Sequence, residues 1–234
     1  LNCEFCATAK LKRMRNLEVA EIVDQVALID KQSKLYFDRP LSNIVFMGMG
    51  EPMMNYKNVV DAIKKITEED GLGMSARRIT VSTSGIPKMM RMLADENLKV
   101  KLALSLHSAI EHKRNEIMPF STKFPLTEIM EAMQYWYSKT ENRITFEYCV
   151  WKGINDGDED IKALIKYCRQ VPCKVNLIQY NPIGEGKFDH RSVEAEERYV
   201  RELEKAGITV LVRRSRGGDI DAACGQLANK NSGE

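Results

Sequence analysis

The length, composition and charge of the chain exclude several classes of protein. Its 234 residues suit one domain, or one domain with a small appendage. Hydrophobic residues make up 44% and charged residues 29%, as in ordinary globular proteins, and no run approaches the roughly eighteen apolar residues of a membrane span. A net charge of +2 gives no general attraction to nucleic acid, and the cysteines are too few for a disulfide-stapled secreted domain. These features predict a cytoplasmic protein.

Apolar, β-rich runs alternate with helical periodicity along the chain. The runs that predict strands lie at 42–50, 77–85, 100–108, 143–156, 173–184 and 208–214. A first helix is predicted over 17–30, where apolar residues recur at spacings of three and four. Further helices are predicted at 56–69, 87–96, 126–139, 157–171 and 193–206. Strands that alternate with helices in this way favour parallel βαβ units, so we expect an α/β fold.

The first five predicted strands end in polar or glycine-rich segments. These segments read GMGEP, STSG, SLHS, WKGIND and QYNPIG. In parallel α/β folds the carboxyl ends of the strands meet on one side of the sheet and form the binding site there. The pattern therefore predicts a small polar ligand held across one mouth of a barrel or open barrel. Because the chain opens with a loop and a helix, we also expect a strand ahead of Leu1.

Two cysteines stand at the start of the chain, in LNCEFCATAK. Cys3 and Cys6 present two sulfurs on one tight turn, which suits zinc, an iron–sulfur cluster or a disulfide. A zinc finger would need a second ligand pair at short spacing, whereas the next cysteine is Cys149. A thioredoxin-type site would need a strand just before the motif. Three thiolates on one loop would leave the fourth iron of a [4Fe–4S] cluster open to a ligand, and the residues alone leave these alternatives open.

Several motifs together resemble one family. In order they are CEFCAT, RNLEVAEIVDQV, FMGMGEP, STSG, SLH, YNP and GGDIDAACGQL, and they run from Asn2 to about Leu227. This set resembles the radical S-adenosylmethionine (SAM) RNA methyltransferases of the RlmN type, which methylate carbon 2 of adenine in 23S ribosomal RNA and some tRNAs. The resemblance implies a partial (β/α)6 TIM-like radical-SAM barrel whose first strand is missing from this chain. Residues 1–234 would then be a radical SAM core domain truncated at its N-terminus, without the accessory N-terminal domain.

The resemblance also implies two cofactors. Cys3 and Cys6 are similar to two of the three cysteines that hold a [4Fe–4S] cluster, and the third would lie two residues ahead of Leu1. The predicted contacts of SAM are Gly50, Glu51, Ser82, Ser105, Leu106, His107 and Asn181. Gly50 and Glu51 would hold its amino-acid end, since glycine lets the backbone approach closely and a carboxylate binds an ammonium group. Two structural interpretations stay open. GMGEP would be a glycine turn followed by a surface Glu, and His107 would be a core histidine whose hydrogen bonds are all made within the protein.

Cys224, in DIDAACGQL, is the predicted catalytic residue. Its neighbours are small and leave room for a planar base: Ala222, Ala223 and Gly225. By the resemblance, its thiolate accepts a methyl group from one SAM. A 5′-deoxyadenosyl radical made from a second SAM then removes hydrogen from that methyl, and the carbon radical adds to the base. The remaining cysteines are interpreted as small buried apolar residues: Cys149, Cys168 and Cys173.

The partners implied by the resemblance are 23S rRNA and tRNA substrates and an electron donor such as flavodoxin or ferredoxin. No membrane partner is expected, and the protein is expected to be a monomer. The basic segments KLKRMR (10–15) and RRSR (213–216) would flank the mouth and contact RNA phosphates. Taken alone, such clusters are also typical of solvated faces.

Three alternative functions stay open. A carbon-8 adenine 23S rRNA methyltransferase of the Cfr type tends to have Ala where Pro52 stands. A radical SAM enzyme acting on a small molecule or peptide would leave DAACGQL unexplained. The chain as given is expected to be inactive by itself, and it is alternatively a non-catalytic fragment that at most binds SAM or RNA.

Overall fold

Six strands in the described part of the chain form one parallel sheet. The computed structural model describes residues 1–12, 14–181, 188 and 193–214. The strands are β1 (Ile44–Phe46), β2 (Ile79–Thr83), β3 (Lys101–Ser105), β4 (Ile144–Tyr148), β5 (Cys173–Ile178) and β6 (Thr209–Arg213). Each strand pairs in parallel with the next one in sequence. The carboxyl ends of all six strands therefore lie on one side of the sheet.

Helices make the crossovers that parallel strands require. They are α1 (Val19–Phe37), α2 (Tyr56–Thr67), α3 (Pro87–Asp95), α4 (Glu111–Ile117), α5 (Leu126–Thr140), α6 (Asp158–Cys168) and α7 (Val193–Lys205). At the start of α1 the Glu21 carboxylate accepts a hydrogen bond from the amide of Glu18, and Pro87 takes the first position of α3. Helix α1 ends at Phe37, and the next residue, Asp38, caps it in the left-handed conformation (φ 51°).

The main core lies between the sheet and the helices. Successive side chains of a strand face opposite sides, and paired residues of neighbouring strands face the same side. Leu104, Phe146 and Val175 pair across β3, β4 and β5, and all three are fully buried. The ring of Phe146 lies 5.7 Å from that of Tyr167 in α6, so this face is the one that the helices cover. The alternate residues of these strands face the interior of the curled sheet.

The first and last strands approach each other. Nη1 of Arg213, at the end of β6, donates a hydrogen bond to Sδ of Met47, directly after β1, at 3.7 Å. Because β1 and β6 lie at opposite edges of the strand order, this contact requires the sheet to curl through most of a barrel. The architecture is therefore the partial (β/α)6 TIM-like barrel of the α/β class that the sequence predicts.

The apolar pattern predicts all six strands and every described helix except α4. The observed strands are shorter than the predicted runs, because the polar ends of those runs are loops. Helix α4 reads EHKRNEI, in which Ile117 is the one apolar residue and Arg114 is buried beside it. The strand expected ahead of Leu1 concerns residues outside this chain and stays a prediction. Among the described helices, none combines the length and apolar content that a bilayer crossing requires.

A substitution at Gly85, in the loop after β2, tests how tightly the sheet packs against α5. Its φ is +96°, and a Cβ there would lie 2.9 Å from Cδ1 of Ile129 and 3.1 Å from Cδ1 of Leu104. We expect Gly85→Ala to lower the free energy of unfolding by about 2–4 kcal/mol, from backbone strain and overpacking together. Urea denaturation of the full-length protein measures this.

Gly207→Ala is the matched control, because Gly207 also has a positive φ (+76°) but open space around a Cβ. Its cost should be about 1–2 kcal/mol, from strain alone. Equal costs for the two variants would show that the sheet and α5 tolerate the extra methyl group.

Candidate functional site

The turn that carries Cys3 and Cys6 sits at the carboxyl ends of the strands. The amide of Cys6 donates to the carbonyl of Cys3 at 3.1 Å, which closes the turn and brings the two cysteines together. The amide of Glu4 donates to the carbonyl of Ile117 at 3.1 Å, so the turn is fastened to the last residue of α4. Cys3 is buried and Cys6 is half-buried. The segment after the turn, Ala7–Lys10, is a short 3-10 helix.

Aromatic rings cover the inner side of this turn. The ring of Phe5 lies 4.7 Å from the imidazole of His107 and 5.1 Å from the ring of Trp151. Burial, together with the nearby Cys6 thiol, raises the pKa of Cys3 to about 12. The thiol of Cys3 is therefore protonated at neutral pH in the metal-free chain, and a metal must displace that proton to bind.

Glu51 ties the loop after β1 to the loop after β2. Its Oε1 accepts from the amide of Met53 at 3.1 Å, at the start of the 3-10 helix Pro52–Asn55. Its Oε2 accepts from the amide and the hydroxyl of Ser84, both at 2.7 Å. A carboxylate has about four acceptor positions, so three donors leave room for one more. Glu51 is thus a fixed anion at the mouth and still has capacity for an ammonium group.

His107 is buried and neutral. It has a left-handed backbone (φ 55°), and its Nδ1 accepts from the amide of Cys149 at 3.2 Å. The proton of the neutral ring therefore sits on Nε2. Burial lowers the pKa of His107 to about 3, with a further contribution from the positive charge of Arg114. A buried residue with a positive φ is held there by its surroundings.

Asn155, which the sequence did not single out as a site residue, supplies that constraint. It is fully buried. Its Nδ2 donates to the carbonyls of His107 (2.7 Å) and Cys149 (2.8 Å), and its Oδ1 accepts from the amide of Trp151 (2.7 Å). These bonds fix the ends of β3 and β4 against each other. They thereby fix the surface on which Phe5 rests.

The interior face of the barrel is polar. Ser105, Glu147 and Asn176 pair across β3, β4 and β5 on the side opposite the helices. Oε1 of Glu147 accepts from Nδ2 of Asn176 at 3.0 Å. Oε2 of Glu147 and Oδ1 of Asn176 are buried and have no hydrogen-bond partner among the described residues. Burial raises the pKa of Glu147. This interior can therefore still form hydrogen bonds to a polar ligand.

Arg114 adds a buried cation between the ends of β2 and β3. Its Nη2 donates to the carbonyl of Ser84 at 2.6 Å and, more weakly, to that of Ser105 at 3.4 Å. Burial lowers its pKa, although arginine keeps its charge in proteins. Within the described ranges, its Nε and Nη1 have no partner. The polar segments that follow the strands do not include Arg114 or Glu147, because Arg114 lies within α4 and Glu147 lies within β4. The sequence pattern therefore does not reveal them as site residues.

The structure places most of the predicted SAM contacts at or near the same mouth. Gly50 is exposed and has φ 132°, which favours glycine. Ser82 is buried on an interior position of β2, whereas the side chain of Leu106 packs in the main core. Asn181 is half-buried and follows β5. The roles of these residues stay predictions.

The predicted catalytic residue, Cys224, lies outside the described residues. Of the other cysteines, Cys149 and Cys168 are buried as expected, whereas Cys173 is only half-buried. Burial raises the pKa of the Cys149 thiol, which makes this thiol a poor nucleophile at neutral pH.

The basic segments are only partly available for RNA. Lys10 and Lys12 are exposed, but Arg15 forms an ion pair with Glu21 at the start of α1. Arg213 lies at the mouth, where its guanidinium contacts Met47. Arg13 and Arg216 fall outside the described residues.

Comparisons with known proteins agree with this architecture. The model of the Radical SAM superfamily matches residues 1–168. Since the match covers well over half of the chain, the protein belongs to the radical SAM superfamily. Membership of this superfamily implies a [4Fe–4S] cluster and SAM as cofactors.

The similarity extends to a particular type of radical SAM protein. Two relatives named "Probable dual-specificity RNA methyltransferase RlmN", from Christiangramia forsetii and Flavobacterium psychrophilum, are each 65% identical over 99% and 98% of this chain. The chain spans 66% of the length of each. The crystal structure of a radical SAM methyltransferase from Sphaerobacter thermophilus matches with a TM-score of 0.92 and 41% identity, covering 96% of this chain and 66% of that one. The resemblance predicted from the motifs is confirmed.

The described residues fit an iron–sulfur cluster that needs a further ligand. Two cysteines share one turn, aromatic rings shield them, and α4, which fastens the turn through Ile117, also carries the buried guanidinium of Arg114. In the described part of the chain, no group of three or more His, Cys, Asp and Glu side chains could hold a metal ion. The third cysteine implied by the resemblance, ahead of Leu1, stays a prediction.

Asn155 gives a test of how the mouth is held. In Asn155→Asp, a carboxylate oxygen would replace Nδ2 and face the carbonyls of His107 and Cys149, so two buried hydrogen bonds become repulsive contacts. We expect the free energy of unfolding to fall by at least about 2 kcal/mol. Thermal or urea denaturation of the full-length protein measures the change. The exposed Asn43→Asp is the control and should be within about 0.5 kcal/mol of wild type. A small effect at both positions would contradict a structural role for Asn155.

Proposed function

We propose that the whole protein is a radical SAM RNA methyltransferase that methylates carbon 2 of adenine in 23S rRNA and in some tRNAs. The observation that carries the proposal is the 65% identity to RlmN-named proteins over nearly the whole chain. The geometry supports it, because the cysteine turn, Glu51 and a polar barrel interior all meet at the carboxyl ends of the strands. The proposal treats residues 1–234 as the core domain of a longer protein.

The cysteine turn would hold the cluster through Cys3, Cys6 and one cysteine ahead of Leu1. When bound, the cluster and SAM supply a one-electron cleavage that yields the 5′-deoxyadenosyl radical. The chain contributes position and shelter. Phe5 and Trp151 keep water from the inner side of the turn, and the bond from Glu4 to Ile117 holds the turn in place. A flavodoxin or ferredoxin would supply the electron.

SAM would lie across the mouth. Its amino group carries a positive charge, and the Glu51 carboxylate, held by Met53 and Ser84, offers a fixed acceptor for it. The hydroxyl groups of its ribose match Oε2 of Glu147 and Oδ1 of Asn176, which are acceptors without a partner among the described residues. His107 stays neutral, so it adds no charge that would oppose the sulfonium.

Cys224 would be the methyl carrier. Carbon 2 of adenine is electron-poor and does not accept a methyl cation directly. A thiolate, in contrast, accepts the methyl group of SAM in an ordinary displacement. The carrier is proposed from the DIDAACGQL motif. A buried, protonated Cys149 would be unsuited to this role.

RNA would reach the mouth as a loop with its target adenine splayed out. The exposed Lys10, Lys12 and Arg214 could contact phosphates and position the loop without reading its sequence. Arg15 is less suited to this role, because its charge is balanced by Glu21.

The role of Glu51 can be measured directly. We expect Glu51→Gln in the reconstituted full-length protein to weaken SAM binding by roughly 10- to 150-fold, since a charge-assisted bond contributes about 1.5–3 kcal/mol. Calorimetric titration gives the affinity. Ser84→Ala is the control, because it removes a donor to Glu51 and leaves the charge in place. If both variants lose affinity equally, Glu51 acts only through the shape of the loop; if Glu51→Gln binds as wild type, it is not a SAM contact.

The role of Cys224 decides whether methyl transfer proceeds through a methylated cysteine. Full-length protein produced in cells should carry one extra methyl group on the peptide that contains Cys224, as seen by mass spectrometry. Cys224→Ala should lose that mark and all RNA methylation, because no acceptor for the first methyl remains. Cys149→Ala is the control and should retain both.

The methylated nucleoside, isolated from RNA treated with the wild type, should be 2-methyladenosine. An 8-methyladenosine product would instead support the Cfr-type alternative. Methylation by Cys224→Ala would contradict the carrier mechanism altogether.

A further inference from the structure

Arg114 is a buried cation that forms no ion pair within the described part of the chain, and the carboxylate whose charge acts on it is that of Glu111, one turn earlier on α4. The side chain of Arg114 is 0% exposed, and none of the ion pairs of the described residues includes it. Nη2 donates to the carbonyls of Ser84 and Ser105, and within the described ranges it is the one guanidinium nitrogen that forms hydrogen bonds. Among the described residues, Nε and Nη1 find no acceptor.

Such an arrangement is costly unless an anion completes it. A charge taken out of water loses several kcal/mol of hydration, and two carbonyl oxygens replace only part of that. Neutral residues could hold the ends of β2 and β3 together without the cost. Lys113, the neighbour of Arg114 on α4, shows the usual solution, since it pairs with Glu159 and the buried Asp160. In the part of the chain that the structure describes, Arg114 forms no ion pair of this kind.

The position of Arg114 points to the cysteine turn. The helix that carries Arg114 also accepts the bond from Glu4 that fastens the turn, through the carbonyl of Ile117. Cys3 packs in the same apolar cluster as Ile117 and Met118.

We propose that Arg114 is the fixed counter-charge of the iron–sulfur centre held by Cys3 and Cys6, and that it raises the reduction potential of that centre. The inference rests on the proposed function, in which the two cysteines ligate the cluster. A cluster with three thiolates is negatively charged, and one-electron reduction adds a further negative charge. A positive charge at a fixed distance in a poorly polarisable interior stabilises the reduced form more than the oxidised form. Arg114 is thus a positioning residue that acts through the field it creates.

The test compares three variants of the full-length protein, reconstituted anaerobically with iron and sulfide and kept free of SAM. Arg114→Gln removes the charge and keeps an amide donor for the carbonyls of Ser84 and Ser105. Arg114→Lys keeps the positive charge and replaces the planar guanidinium with an ammonium group. Lys101→Gln removes one exposed positive charge from the amino end of β3, away from the mouth. The measurements are iron content, circular dichroism and a redox titration with dithionite followed by electron paramagnetic resonance.

We expect Arg114→Gln to lower the ratio of reduced to oxidised cluster at a set potential about tenfold, a shift of about 59 mV for a one-electron couple. Arg114→Lys and Lys101→Gln should stay close to wild type. Loss of iron in Arg114→Gln with full iron content in Arg114→Lys would equally support a requirement for the charge.

Three results would overturn the inference. An unchanged potential in Arg114→Gln would do so, as would equal shifts in the Gln and Lys variants. Failure of Arg114→Lys to fold would show that the hydrogen bonds to Ser84 and Ser105 are the role of the residue. If the wild-type protein itself takes up no iron, the proposed function fails and not this inference alone.

Discussion

The parallel pairing of the strands in chain order is the constraint on which the rest of the structure depends. It brings the ends of six strands, distant in sequence, to one side of the sheet. Every feature of the candidate site follows from that convergence. Glu51 can bind Ser84 because β1 and β2 are neighbours, and Asn155 can reach His107 because β4 lies beside β3. The site is a consequence of topology before it is a consequence of any single motif.

Two kinds of polar group occupy this mouth, and they differ in whether all of their buried atoms have hydrogen-bond partners. The side chain of Asn155 has three hydrogen bonds, all to the backbone of the strand ends, so it makes the mouth rigid. Glu147, Asn176 and Arg114 each keep buried atoms without a partner in the described residues. Native interiors seldom leave such groups unpaired. The first kind of group preserves the shape of the site, and the second kind is available to whatever the site binds.

The sequence predicts the fold well because the apolar pattern reports burial. All six strands and the longer helices follow from it, and the strand ends indicate where the ligand lies. Helix α4 could not be predicted in this way, since it buries a charged residue, and no pattern of apolar residues reveals a buried Arg114. The resemblance names Glu51 as a ligand contact, but its ties to Met53 and Ser84 depend on loops that meet only in the fold. Cys224 stays an inference from its motif.

The strand order also bears on the order of events during synthesis. Each new βα unit can add to the sheet already formed, so each step closes only a short loop. The contact between Met47 and Arg213 joins residues 166 positions apart and can form only after β6 has been made. Cys3 and Cys6 are synthesised well before α4, whose Ile117 fastens their turn, and before Trp151, which helps to cover it. We therefore expect the two thiols to stay exposed to oxidants on the nascent chain for longer than any other part of the mouth.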